Sequence, residues 1–131
     1  MKVKVTLLPL LALITAFFAG CATPVSIDPM ADQNDQTAEY RAGFFYAPID
    51  ANAGRIFRTA IRELDAMGYF RTGELHEDAQ ITIYARKVGD ERVTVRIEQV
   101  APGQSEIRIR VGRFGNLPES QRIYAQIRGA I

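Results

Sequence analysis

An α+β domain is what this sequence predicts: a single antiparallel β-sheet with two helices packed on one face, ordered β-α-β-β-β-β-α over residues 43–131. Three observations lead there. Residues 51–67 carry an apolar stripe at helical period. Three successive runs between residues 81 and 111 alternate apolar and polar side chains with period two, as antiparallel strands with one covered face do. A second stripe follows a cap at Asn116. Two helices and one sheet must bury their apolar faces against each other, which gives a layered α+β arrangement.

The chain starts Met1-Lys2-Val3-Lys4, runs apolar from Val5 to Phe18 with an interruption at Pro9, and then reads Ala19-Gly20-Cys21. A basic start, an apolar middle and small residues are the parts of an export signal. With a cysteine at the cut, the pattern is that of a bacterial lipoprotein signal peptide spanning residues 1–20. Cleavage is then expected between Gly20 and Cys21, with Cys21 lipidated. Phe18 stands where such signals usually carry Leu. The apolar run is short of the ~20 residues that a spanning helix requires. Each buried CH₂ of an acyl chain contributes ~0.8 kcal/mol, so two or three chains anchor durably where one does not. Ala22, in place of Asp, fits the inner leaflet of the outer membrane, facing the periplasm.

Residues 21–42 follow as the lipidated cysteine and a tether. Pro24, Ser26, Asp28, Pro29, Asp32, Gln33, Asn34, Asp35, Gln36 and Thr37 dominate it. So little apolar surface cannot offset ordering entropy, and a flexible coil is expected, with a reach of roughly 25 Å for ~20 residues.

Within the domain, Gly43-Phe44-Phe45-Tyr46-Ala47 reads as a strand stopped by Pro48. Asp50 is the expected N-cap of the first helix. Its stripe is Ala53, Ile56, Phe57, Ala60, Ile61, Leu64 and Met67, and Gly68 suits the left-handed position that ends a helix. Tyr69 to Thr72 reads as a short strand, and Gly73 to Asp78 as a polar turn. The meander then runs through Ile81-Ile83-Ala85, Val93-Val95-Ile97 and Ile107-Ile109-Val111. Opposed residues of an antiparallel pair share a face. A two-residue loop at Gly89-Asp90 would set Ile83 against Arg96 and mix the faces. Pairing Lys87 with Glu91 sets Ile83 against Val95, which predicts an odd-length loop. By the same rule Val95 should oppose an odd-numbered residue near Ile109. Asn116 then caps the last helix, with Pro118 in its first turn and Glu119 placed for a capping box. Ile123, Tyr124, Ile127 and Ile131 form its stripe, and Phe114 is expected to cover the edge of the core.

Composition narrows the function. Without Lys2 and Lys4, which belong to the signal, the 16 basic residues fall to 14, against 15 acidic ones. That balance gives no case for nucleic acid as a partner, since a nucleic-acid domain carries a strong basic excess. One cysteine allows no internal disulfide. No cofactor motif is present: Gly112 and Gly115 suit a turn, and Ser26, Ser105 and Ser120 have no base at nucleophile spacing. His76 sits beside Glu74, Glu77 and Asp78, but neighbours in a turn rarely converge on one ion, so a solvated acidic turn is expected. No enzyme is expected.

The outer face of the sheet has more to offer. Arg86, Arg92, Arg96, Arg108 and Arg110 all project from it, with Thr82, Tyr84 and Thr94 between them and Glu98 and Glu106 nearby. Guanidinium groups suit bidentate contacts to carboxylate or phosphate. The face is thus a candidate surface for an acidic partner: another envelope protein, cell-wall peptide carboxylates or lipid phosphates. The alternative is a solvated face whose arginines pair with Glu91, Glu98 and Glu106.

The signal with its Cys21, the strand running into an Asp-capped helix, and the ending Arg110-Val111-Gly112-Arg113-Phe114-Gly115-Asn116…Ser120-Gln121-Arg122-Ile123-Tyr124…Ile127 resemble a family of small bacterial lipoproteins of unknown function. The V-G-x-F-G-[D/N] segment is the most specific part, and Asn116 stands where several members carry Asp. The resemblance implies an envelope location and no reaction. The element order also resembles a TATA-binding-protein-like fold shared with domains of an outer-membrane assembly lipoprotein, a likeness of fold that carries no DNA binding. The sequence therefore predicts a lipid-anchored, non-catalytic periplasmic module that binds a partner or maintains the envelope. The alternative is a domain that binds a small ligand or a metal.

Overall fold

The computed structural model describes residues 21–27 and 37–131. The expected signal peptide, with its cleavage after Gly20, lies outside the described residues, as does the middle of the expected tether.

The described residues form one antiparallel sheet of seven strands: β1 (Thr23–Ser26), β2 (Thr37–Arg41), β3 (Phe44–Ile49), β4 (Phe70–His76), β5 (Gln80–Arg86), β6 (Arg92–Ala101) and β7 (Gln104–Val111). Their spatial order is β1-β2-β3-β7-β6-β5-β4. Helices α1 (Ala53–Ala66) and α2 (Leu117–Gly129) pack against this sheet and each other. The mixed α+β class and the five strands and two helices expected over residues 43–131 are all present.

The meander has the predicted register. Ile83 lies opposite Val95, Arg86 opposite Arg92, and Val95 opposite Ile109. The Lys87 N–H donates to the Glu91 carbonyl at 2.8 Å, which leaves the odd, three-residue loop Val88-Gly89-Asp90. Ile83, Val95, Ile97, Ile107 and Ile109 are fully buried under the helices, with Ile56, Leu64, Ile123 and Ile127 facing them. Burying an aliphatic side chain of this size contributes ~1.5–3 kcal/mol, so this layer dominates the fold's stability.

Several expectations are corrected. The tether is not coil at its two ends: Thr23–Ser26 and Thr37–Arg41 are strands that widen the sheet beyond β3. Ile27 and Ala38 join the core, and the Gln121 side chain on α2 donates to the Ser26 carbonyl at 2.7 Å. A few apolar contacts suffice here because β3 already offers a paired edge. β2 turns into β3 through Ala42 and Gly43, both at positive φ, as a two-residue hairpin turn requires.

Pro48 does not stop its strand, which continues to Ile49. The ladder between β2 and β3 ends at Glu39 opposite Tyr46, short of the proline, which has no N–H to donate. Its carbonyl accepts from the Tyr124 hydroxyl at 2.6 Å.

Helix α1 starts two residues later than expected, and Asn52 is the N-cap instead of Asp50. The Asn52 side chain does not cap its own helix. It accepts from the Gly103 N–H at 3.0 Å in the β6–β7 turn, and Gln99 supplies the missing acceptor to Ala53. At the other end Gly68 has φ +82°, and the N–H groups of Gly68 and Tyr69 return to the carbonyls of Asp65 and Leu64, the Schellman arrangement.

The stretch 73–78 is mostly strand. β4 runs to His76, with a bulge between Arg71 and Gly73. The alternation that marks a strand is hidden there by the extra residue and by exposed charges on both faces. Phe114 does not cover the core: it is 86% exposed at the tip of the turn into α2. That turn is held by close backbone approach, since a Cβ on Gly43 would stand 2.6 Å from the Phe114 carbonyl oxygen. Asn116 caps α2 as expected, accepting from the Glu119 N–H at 3.1 Å. Glu119 does not close the capping box, because its carboxylate is taken by Tyr69 and Arg122.

Candidate functional site

The helices cover one face of the sheet, so the other face is where the fold presents side chains. Strand register places them in rows. At the end where β7 leaves the sheet, Arg92 and Arg86 form one row with Phe70. The next row is Arg41, Phe44, Arg110, Thr94 and Tyr84. Then come Glu39, Tyr46, Arg108, Arg96, Thr82 and Leu75. The last full row holds Pro48, Glu106, Glu98 and Gln80. Charge is therefore graded along the strands, acidic at the β6–β7 turn and basic at the opposite end.

All five predicted arginines lie on this face, but they do different things. Arg108 is committed to the fold: it pairs with Glu106 at 2.7 Å and also with Glu98. Burial acts to lower its pKa, and the two carboxylates outweigh that and hold it above the ordinary value. Arg86 pairs with Asp90 at 2.9 Å within its own hairpin. Arg92, Arg96 and Arg110 have no carboxylate partner among the described residues. The solvated-face alternative thus accounts for Arg108 and not for these three. Glu91, expected as a partner, accepts instead from the Tyr69 hydroxyl at 3.3 Å.

Aromatic rings order two of these three guanidiniums. Arg110 and Arg96 lie 4.5 Å and 5.0 Å from the centroid of Phe44, which they bury on the outer face. Arg41 and Arg108 lie over Tyr46 in the same way, and Phe44 meets Tyr46 edge-on at 6.4 Å. Such stacking holds the flat guanidinium while leaving its N–H groups to face outward. The sequence reading did not assign Phe44 and Tyr46 to this face. The alternation of Phe44 and Tyr46 with Phe45 and Ala47 carried that signal.

The arginines at the basic end surround an open cleft of about 790 Å³ whose lining includes Arg86, Arg92, Arg110 and Arg113 with Asp90 and Tyr84. Four guanidiniums against one carboxylate favour an anion. Arg113, in the turn after β7, is not assigned to this face by alternation because it lies beyond the alternating run. His76 is on β4, 5.2 Å edge-on from Phe57 and 3.3 Å from Glu74. No three His, Cys, Asp or Glu side chains gather as a metal site among the described residues. Cys21 is exposed, two residues before β1. No described helix is long and apolar enough to cross a membrane.

The chain belongs to a family described as a protein of unknown function (DUF3568), whose model matches residues 4–130. No curated protein matches it.

Proposed function

We propose that this member of the family is a non-catalytic, lipid-anchored module of the bacterial envelope whose arginine-rich sheet face docks an anionic partner. One observation carries the docking part: Arg92, Arg96 and Arg110 share a face, beside the cleft, without carboxylate partners among the described residues. Keeping like charges side by side weakens a sheet, so the arrangement favours a ligand that neutralises them. The export-signal pattern ending at Cys21 supports the anchor. Crosslinking in intact cells followed by mass spectrometry tests both parts. An acylated Cys21 peptide is expected, together with neighbours that disappear from the combined Arg92→Ser, Arg96→Ser and Arg110→Ser variant. Unchanged neighbours would remove the docking role, and an unacylated cysteine would remove the anchor.

A small anionic ligand is the second reading. The cleft volume of about 790 Å³ falls within the range of small-molecule sites. The charged residues of its lining, Arg86, Asp90, Arg92, Arg110 and Arg113, favour the macromolecular or surface partner.

A further inference from the structure

The attachment point and the basic cleft lie at the same end of the sheet. Thr23 is in register with Tyr40, Phe45, Ile109, Val95 and Ile83 across five neighbouring strands. Two residues further along each strand, the chain reaches Cys21 on one side and Val111, Val93 and Ala85 on the other, next to Gly112, Arg92 and Arg86. Cys21 is separated from the paired strand by Ala22 alone. Two residues of chain span at most about 7 Å, so whatever is attached there sits against this end of the domain. The 42–43 turn, one strand spacing from β1, touches the Phe114-Gly115 backbone.

Exposed apolar side chains project from the same end. Val88 is 89% exposed in the β5–β6 loop, and Phe114 is equally open beside Arg113, whose guanidinium is 5.8 Å from its ring. Arginines flanked by protruding apolar tips match a bilayer interface, where cations meet lipid phosphates and aromatic rings settle at the headgroup level. The opposite end, with Glu98 and Glu106, has the wrong sign for that surface.

We infer that this end of the sheet docks onto the bilayer to which the chain is attached. Arg86, Arg92, Arg110 and Arg113 receive lipid phosphates, and Phe114 and Val88 enter the headgroup region. The inference rests on the anion-docking reading and names its partner as the membrane surface. It holds whether the attachment is acyl chains on Cys21 or the apolar stretch before it.

The chain contains no tryptophan, so a single one reports its own surroundings. The full chain carrying Phe114→Trp is reconstituted in phosphatidylcholine vesicles with and without phosphatidylglycerol. Blue-shifted emission and quenching by brominated acyl chains are expected, stronger with the anionic lipid. Val88→Trp provides a second probe at the same end. Val100→Trp, at the far end, should remain water-like. An arginine near an anionic surface strengthens attachment about five-fold, so combined Arg92→Ser, Arg110→Ser and Arg113→Ser should lower the docked-to-undocked ratio about a hundred-fold. Equal quenching at positions 100 and 114, no quenching at 88 and 114, or quenching indifferent to the arginines would overturn the inference. If serine variants lose crosslinked partners in cells while the position-114 probe stays in water, anion docking survives and the membrane orientation falls.

Discussion

The Ala53 N–H donates to the side-chain oxygen of Gln99 at 2.7 Å, so helix α1 is capped by a residue of strand β6. The Gln99 amide nitrogen donates in turn to the Ala101 carbonyl at 2.5 Å. One side chain therefore joins the first helix to the β6–β7 turn. Gln99→Ala is expected to cost ~0.5–2 kcal/mol, the range for a lost helix cap. Chemical denaturation checks it, and Gln99→Glu, which keeps the acceptor but turns a carboxylate oxygen toward the Ala101 carbonyl, should recover only part of the loss.

Ala42 holds φ at +50° in the β2–β3 turn, a region that costs a side chain bearing Cβ ~1 kcal/mol. Ala42→Gly should therefore raise the melting temperature by a few degrees, as a gain of ~0.5 kcal/mol would in a domain of this size. Gly43→Ala should do the reverse and more strongly, because the added methyl meets a backbone carbonyl that cannot swing away.

Tyr69 and Glu119 give a pH dependence with a definite sign. The Arg122 guanidinium first, and the Tyr69 hydroxyl at 2.9 Å after it, hold the Glu119 carboxyl below its ordinary value against the opposing effect of burial. A depressed carboxyl stabilises the fold above its unfolded pKa, and that stability is lost as pH falls through the folded value. Thermal melting from neutral pH to below 4.5, the carboxyl's ordinary value, should show a drop in midpoint that is smaller in Glu119→Gln. Burial, aided by Glu119 and Glu91, raises the Tyr69 phenol well above its usual range. Its contribution is thus present below pH 10, its ordinary value, and is lost as pH climbs through the raised one.

Arg86 and Arg92 stand directly opposite each other on β5 and β6. Like charges in that position weaken a sheet by ~0.2–1 kcal/mol. Arg92→Thr is expected to stabilise the domain by about that amount at low ionic strength, with the difference shrinking as salt screens the pair. An equal or lower midpoint in Arg92→Thr at low salt would show that the repulsion is already relieved.

The meander was legible because parity leaves little choice. Setting Ile83 against Val95 keeps every apolar residue on one face, and only an odd loop after Lys87 allows it. The arginine face followed from the same parity. The first two strands were harder to see. Thr37–Arg41 alternates buried Ala38 and half-buried Tyr40 with exposed Glu39 and Arg41, but this short pattern abuts a polar stretch and is diluted by it. Its hairpin turn carries Ala42 where a turn signal of Asn or Asp is usual. The cap of α1 escaped for another reason: its acceptor lies 46 positions away, at Gln99, beyond any local pattern. For the cleft, the three arginines on strands were readable from alternation, as was the side of the sheet that Phe44 and Tyr46 take, whereas Arg113 required the folded chain.

The extra residue at Thr72 interrupts β4, the end strand along which copies of this protein could meet. β4 is an open border of the sheet, where a foreign strand could add and begin a fibre. The irregular spacing at Thr72 denies an incoming strand a continuous ladder, and Arg71, Glu74 and His76 would all have to shed their water to be covered. Crowded molecules are therefore expected to stay separate along that border, and deleting Thr72 would turn it into a seam for aggregation.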